Sequence, residues 1–366
     1  MKKLGVMVCI ACALLISGCK SKPNASINDE TIAIKEGDYA AMLPFDASSS
    51  RIKHAQTSTN LNESLTIGAG IMSLSKNYFS PDKYIYKEGQ FLTYDVLDAT
   101  GLDHIGLLGR TSQTNPNGMN LAVGTQIDTE DGIKKIGPMD VLLVDIYELD
   151  WYDGKDLEGL SIGIVLNDKI GDRLHPNIVK DEKLRAFGEE VGRKVVSYLR
   201  KTHPEIGQKT PIYVALYKES GVNTVLPGTF IEEAYFASKT IGEYSSIHQE
   251  WALFPSTQAH ELDANTSSDF DAFAKDLKNF FPEDTSVIGT GRFDDGVLVH
   301  LGIEVSMHAK TWAEVNALIQ KVNASLSTFT NKEMMVKVSI KSDHVLVAAM
   351  QRDAGENNVT VIQLID

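Results

Sequence analysis

The three cysteines, Cys9, Cys12 and Cys19, all lie within the first nineteen residues of a 366-residue chain. Beyond them no disulfide, thiolate metal site or cysteine nucleophile can form. Thiolate chemistry is therefore confined to the N-terminus. There Met1-Lys2-Lys3 leads into an apolar run from Leu4 to Ile16, then Ser17-Gly18-Cys19 and the polar Lys20-Ser21-Lys22. A charged start, a short hydrophobic stretch and small residues before a break make a secretory signal. The run is shorter than the roughly 20 apolar residues that a membrane-spanning helix needs.

Leu15-Ile16-Ser17-Gly18-Cys19 is similar to a bacterial lipobox. In that pattern a cysteine thiol receives a diacylglyceryl group and the chain is cut just before it. Cysteine is needed because its thiolate is the soft nucleophile that attacks the lipid donor. Small residues before the cut let a peptidase grip extended backbone. The reading predicts cleavage between Gly18 and Cys19, lipidation of Cys19, and processing by a lipoprotein diacylglyceryl transferase and a lipoprotein signal peptidase. Two or three acyl chains, at about 0.8 kcal/mol per buried CH₂, would hold the chain permanently on the outer face of the cell membrane. Loss of Lys2 and Lys3 leaves 33 basic and 49 acidic residues, a net charge of −16. Anionic lipid repels such a body, so the acyl chains rather than a basic patch must be the anchor.

Other chemistry is sparse. There is no GxxxxGK[ST] phosphate loop and no GxSxG elbow. Gly289-Thr290-Gly291 is followed by Arg292 and a turn, unlike a dinucleotide fingerprint. The nine histidines include no HExxH pair; His260-Glu261 comes nearest, with Ala264 where the second histidine should stand. The densest acidic stretch is Asp145, Glu148, Asp150, Asp153, Asp156 and Glu158, interleaved with Tyr147, Trp151 and Tyr152. Carboxylates beside rings could form a calcium loop or a sugar site. The EF-hand order is absent, however, and the alternation suits a half-exposed strand running into a turn. Glu232-Glu233 and Glu250-Trp251 could rim a groove without selecting a reaction. No catalytic residue, metal or cofactor is expected, and the body is read as non-enzymatic.

Composition agrees with an ordinary globular protein: 43% of residues are hydrophobic and 23% charged. The net charge of −14 argues against nucleic acid as a partner. The length suggests about two domains after the leader. Residues 1–18 read as signal peptide and 19–36 as a flexible polar tether, whose coil spans on the order of 20–25 Å. An N-terminal α+β domain is expected over 37–255 and a C-terminal one over 256–366.

The first part of the body has mixed signals. Glu63 to Lys76 has helical spacing, and Ser80-Pro81 stops it. Tyr84–Tyr86 and Phe91–Leu92 suggest a hairpin, and 101–132 reads as loop with short strands around an Asn-Pro-Asn-Gly turn. Strands follow at 141–149 and 160–166, a helix capped by Asp181 with Leu184, Phe187, Val191, Val195 and Leu199 on one face, then strands at 212–217 and 229–236. A second set reads 287–293 and 297–305 around Asp294-Asp295-Gly296, a helix opened by the Thr311–Glu314 capping box, then 335–340 and 345–350, with 359–364 closing. Between them lies a helix with Phe270, Phe273, Leu277 and Phe280 on one face, ended by Pro282. The fold class is therefore α+β, with mostly antiparallel sheets covered by helices and a duplicated strand–strand–helix–strand–strand unit.

Several local strings together resemble the CamS-type sex-pheromone lipoprotein precursor family of Gram-positive bacteria. They are Phe79-Ser-Pro-Asp-Lys-Tyr84, Glu88-Gly-Gln-Phe-Leu92, Pro211-Ile-Tyr-Val-Ala-Leu-Tyr-Lys218 and Pro227-Gly-Thr-Phe230, with Leu43-Pro44-Phe45 and Leu253-Phe254-Pro255-Ser256. The resemblance runs from the signal segment to the end of the chain. It implies that a short hydrophobic peptide from the end of the signal sequence is released after the lipoprotein cut and induces plasmid transfer in a responding cell. Here that peptide is Cys12, Ala13, Leu14, Leu15, Ile16, Ser17 and Gly18. Two other readings stand beside it: a surface module whose repeats bind a peptide or glycan, and an envelope hydrolase using carboxylates near Asp150 and Asp153.

Overall fold

The structure, a computed structural model, describes residues 31–32, 37–57, 61–98, 105–221, 224–238, 242–281, 285–309 and 311–365. In chain order its first elements are β1 (Thr31–Ile32), β2 (Ala41–Met42), α1 (Ser49–Thr57), α2 (Leu61–Ser75), β3 (Ile85–Glu88) and α3 (Tyr94–Leu97). Next come β4 (Gln126–Thr129), β5 (Gly132–Lys135), β6 (Leu143–Asp153), β7 (Asp156–Leu166), β8 (Lys169–Gly171) and β9 (Pro176–Ile178). The long helix α4 (Asp181–Thr202) precedes β10 (Ile212–Lys218), β11 (Thr229–Phe236), β12 (Tyr244–Ser246) and β13 (Gln249–Phe254). The remainder comprises α5 (Thr257–Leu262), α6 (Ala264–Phe280), β14 (Ser286–Asp294), β15 (Val297–Met307), α7 (Trp312–Ser325), β16 (Met335–Ser342), β17 (Val345–Arg352) and β18 (Thr360–Gln363). Among the described residues no helix is long and apolar enough to cross a membrane.

Two large sheets form, in the orders β1-β2-β3-β6-β7-β10-β11-β12 and β13-β14-β15-β16-β17-β18. The fold is α+β and mostly antiparallel, as expected, and the duplication is explicit in the pairing. From β3 onward in the first sheet, and throughout the second, two antiparallel pairings, one parallel pairing and two antiparallel pairings follow in turn; β1 and β2 extend the first sheet through an antiparallel and a further parallel pairing. The parallel pair, β7/β10 or β15/β16, is bridged by one helix, α4 or α7. Even the irregularities coincide. Register slips between Trp151 and Tyr152 and between Arg292 and Phe293, in each case just before the strand's last two residues. It slips again at Leu216/Tyr217 and Ile340/Lys341, again just before the end. Strand β13 belongs to the second sheet, so only Ile247 and His248 separate the two sheets along the chain.

Alternation along β10 shows how the first sheet is covered on both faces. Ile212, Val214 and Leu216 join one core with Leu184, Val191, Val195 and Leu199 of α4. Tyr213, Ala215 and Tyr217 join another with Ile67 and Ile71 of α2. In the second sheet one core joins Phe270, Phe273 and Leu277 of α6 to Val315, Leu318 and Val322 of α7. Apolar residues three and four apart give each helix the stripe it buries.

Several local expectations hold and others are corrected. The Thr311 hydroxyl accepts from Glu314 N at 3.2 Å, and Glu314 Oε2 accepts from Thr311 N at 3.2 Å, closing the capping box. The Asn115–Gly118 turn forms, with Gly118 N donating to Asn115 O. Asp181 does not cap α4: Lys180 is the N-cap, and Asp181 sits in the first turn, bound to Arg185 one turn on. Phe280 is 47% exposed: the buried stripe of α6 ends at Leu277, and Phe281, just past the helix, packs against that core in its place. The hairpin expected between Tyr84–Tyr86 and Phe91–Leu92 does not form. Strand β3 pairs with β6, and the N–H groups of Phe91 and Leu92 turn to buried carboxylate oxygens. The acidic strand β6 is not half-exposed either, since both faces of the first sheet are covered.

Both duplicated hairpins of the second sheet turn through left-handed backbone. Asp295 and Gly296 have φ of 50° and 75°; Asp343 and His344 have 47° and 70°. A β-carbon in that region is disfavoured, and His344 has no glycine's freedom. His344→Gly is expected to stabilise the second sheet by about 1 kcal/mol, raising its unfolding midpoint by roughly 2–4 °C in calorimetry.

Candidate functional site

Helices α1 and α2 cross the face of the first sheet opposite α4 and leave a cleft of about 1380 Å³. Its floor is apolar, with Ile71, Val144 and Val165 among its residues, and its rim is charged. The cleft reaches Glu219, the residue following β10, at the carboxyl end of the parallel pair. Crevices at the carboxyl ends of parallel strands are common ligand positions, because backbone polarity and loops converge there.

One wall is a half-buried charge cluster. Arg51 Nη1 and Nη2 donate to the two carboxylate oxygens of Asp145 at 2.8 and 2.7 Å. Arg51 also donates to Ile146 O and lies 3.8 Å from the centroid of the Tyr147 ring. His54 Nδ1 stands 3.0 Å from Asp145 Oδ1 and its Nε2 4.0 Å from Asp98. Arg51 and His54 are three apart on α1 and so share its face. Burial works to raise the Asp145 carboxyl, but hydrogen bonds from His54 and Arg51 and the Arg51 charge hold it below the usual carboxylate range.

The opposite wall is acidic. Glu63, near the start of α2, accepts from Ser220 N at 3.0 Å, Ser220 Oγ and Gly228 N at 3.2 Å, and Tyr217 OH at 3.3 Å. Burial, and then the charges of Glu63 and Asp145, push the neighbouring Glu219 carboxyl up to about 7. Among the described residues no group of three or more His, Cys, Asp or Glu side chains could hold a metal ion.

On the α4 side of β6 two acids are buried, Glu148 at the edge of the cleft lining and Asp150 behind it. Glu148 is 7% exposed and Asp150 0%. Main-chain N–H groups of the 89–92 segment bind both: Phe91 N and Leu92 N donate to Glu148 at 3.1 and 2.7 Å, and Gln90 N to Asp150 at 3.3 Å. A β-carbon on Gly89 would lie 2.4 Å from the Glu148 side chain, so only glycine lets the segment come this close. Burial and then the Glu148 charge push Asp150 well above the usual carboxylate range. Its Oδ1 has no hydrogen-bond partner.

Residues 45–358 match the sequence profile of the CamS sex pheromone cAM373 precursor family. The chain belongs to that family. Among solved structures it is similar to a sex pheromone precursor from Lactobacillus salivarius subsp. salivarius UCC118, with TM-score 0.78 and 25% identity over 92% of this chain and 99% of that one. It is also similar in fold to the C-terminal domain of the sex pheromone staph-cAM373 precursor from Staphylococcus aureus, with TM-score 0.68 and 23% identity over 82% of this chain and 96% of that one. Comparison with curated proteins finds no significant match.

The strings that carried the resemblance to CamS proteins have structural roles. Phe79 stacks on Trp151 at 5.5 Å, Glu88–Leu92 binds the two buried acids, and 211–218 contains β10. Gly228 meets Glu63, Phe45 lines the cleft, and Ser256 caps α5 by accepting from Ala259 N. Of the acidic run, only Asp145 and Glu148 line the cleft. Asp153 is exposed at the hairpin end, whereas Asp150 is buried. Trp151, at 0% exposed, has no ring face free for sugar. Glu232 and Glu233 separate to opposite faces, toward Arg185 and toward the hydroxyls of Tyr78 and Tyr213. Glu250 binds Gln258, and Trp251 Nε1 donates to Gly228 O. Cys19, Gly18 and the remaining residues of the candidate peptide from Cys12 lie outside the described residues. Sequence reasoning missed Arg51, His54, Glu63 and Glu219; the three-residue spacing of Arg51 and His54 was the one local signal.

Proposed function

We propose that this CamS-family protein is an envelope lipoprotein held to the outer face of the cell membrane through acylated Cys19. Its folded body is a non-catalytic module that binds a ligand, a peptide or glycan, in the cleft under α1 and α2. The cleft is the observation that carries the binding reading. Asp145 is bound by Arg51 and His54, and Glu63 by four donors, so the walls are fixed polar groups around an apolar floor rather than a nucleophile awaiting its base. Family membership supports the second part: release of Cys12–Gly18 as a peptide pheromone after cleavage at Cys19.

Cell fractionation tests the anchor. Cys19→Ala is expected to move the protein from the membrane fraction to the medium or to leave it unprocessed; cleaved and acylated protein still on membranes would refute it. Synthetic CALLISG, applied to plasmid-bearing responder cells, is expected to provoke clumping or transfer, and silence at high dose would remove the pheromone half.

A further inference from the structure

We propose that the second sheet carries an anion site, built around Arg352 and Lys332, for the phosphoryl group of a small hydroxyl-rich molecule. Arg352 ends β17 and is 2% exposed, among the largest fully buried side chains in the protein. Among the described residues no carboxylate forms an ion pair with it. Its guanidinium donates to the carbonyls of Phe329 at 3.4 Å, Asn331 at 2.8 Å and Met334 at 3.5 Å, and its Nε has no partner. Lys332 adds a second cation, with Nζ donating to Phe329 O at 2.7 Å. Burial and then the Arg352 charge pull the Lys332 ammonium below its ordinary range. The carboxylate that favours its charge, Asp269, is itself bound by Thr330 N and Oγ1 at 2.8 Å.

Two adjacent cations held by neutral acceptors are an unbalanced arrangement. A buried charge without a counter-charge costs several kcal/mol, and proteins ordinarily pair or neutralise it. Here the balance can come from outside, because both side chains line an open cavity of about 390 Å³. Asn323, Ser327, Asn357 and Asn358 line it too. The cation pair matches a phosphoryl group, which takes hydrogen bonds from arginine's planar fork and charge from lysine. The amides and hydroxyl suit polyol oxygens, and the cavity holds more than a bare phosphate. The rival account is that the cations only cap carbonyls after the turn Leu326–Thr328 at the end of α7, which needs no ligand.

Calorimetric titration of the full chain carrying Cys19→Ala distinguishes these accounts, with glycerol 3-phosphate, inorganic phosphate and glycerol as probes. Glycerol 3-phosphate is expected to bind, glycerol not to bind, and inorganic phosphate to bind more weakly. Lys332→Gln, with its unliganded unfolding midpoint unchanged, is expected to weaken glycerol 3-phosphate by roughly tenfold or more, the loss of one charge-assisted bond. Arg352→Lys, where it folds, is expected to do the same. Cosedimentation with phosphatidylglycerol but not phosphatidylcholine vesicles, competed by glycerol 3-phosphate, would assign the phosphoryl group to a lipid headgroup. Binding of glycerol 3-phosphate without cosedimentation would assign it to a free ester. No binding of any probe at about 10 mM, well above the range of a weak millimolar site, would overturn the proposal, as would equal binding by Lys332→Gln.

Discussion

Asp145→Ala is expected to destabilise the first sheet and its helices by about 3–5 kcal/mol, the loss typical when one partner of a buried ion pair is removed. Arg51 would keep Ile146 O, His54 Nδ1 at 3.1 Å and the Tyr147 ring, with its side chain 16% exposed. Chemical denaturation should show the loss as a lower midpoint with an unchanged slope. Arg51→Met/Asp145→Leu should recover much of it, since no charge is then stranded. A double-mutant cycle giving strictly additive losses would mean that the pair contributes nothing as a pair. The pH dependence has a definite sign. Because the folded Asp145 carboxyl lies below its ordinary value, its stabilisation is present above the unfolded value and is lost as pH falls through the folded one. Asp145→Ala should therefore flatten the acid limb of the stability curve.

The second large effect is expected at the enclosed acids, where two superficially similar substitutions should act in opposite directions. Glu148→Gln converts one acceptor oxygen into an amide donor facing the N–H of Phe91 or Leu92, and should cost about 2–4 kcal/mol. Asp150→Asn leaves an acceptor for Gln90 N and replaces a carboxyl that already prefers to be neutral. It should be harmless or stabilising at neutral pH. For Asp150 the folded value is raised, so its contribution is fully present below the ordinary carboxylate value and declines as pH rises toward the folded one. In Asp150→Asn that decline should disappear. Thermal unfolding between pH 5 and 8, at roughly 2–4 °C per kcal/mol, reads both effects. A larger loss for Asp150→Asn than for Glu148→Gln would contradict the raised position of the Asp150 carboxyl.

In the acidic run of β6 the limits of sequence reading have a specific cause. Asp145, Glu148 and Asp150 are one chemical type on one strand, yet one faces a cleft, one is held by an N–H pair and one is buried with its carboxyl pushed well above the usual carboxylate range. Period-two alternation separates the faces of a strand but cannot say whether the second face is covered. It is covered here because α2 and α4 pack on opposite sides of the first sheet, and hence the half-exposed reading of β6 failed. The partners of Asp145 lie on α1, about ninety residues earlier, with no local sign that they would meet it. Glu63 likewise meets Ser220 and Gly228 more than 150 residues away.

Sequence by itself determined the local order: helices from apolar spacing, the Thr311–Glu314 box, the turn at Asp295-Gly296, and a strand–strand–helix–strand–strand unit present twice. These follow from contacts within a few residues, which the covalent chain enforces wherever the segment ends up. Tertiary structure alone decided which carboxylates keep their charge, that 89–92 binds acids instead of pairing as a strand, and that a cleft opens beneath α1 and α2. Those outcomes depend on burial and on groups brought together across the fold, where water is removed and an unmatched charge becomes costly.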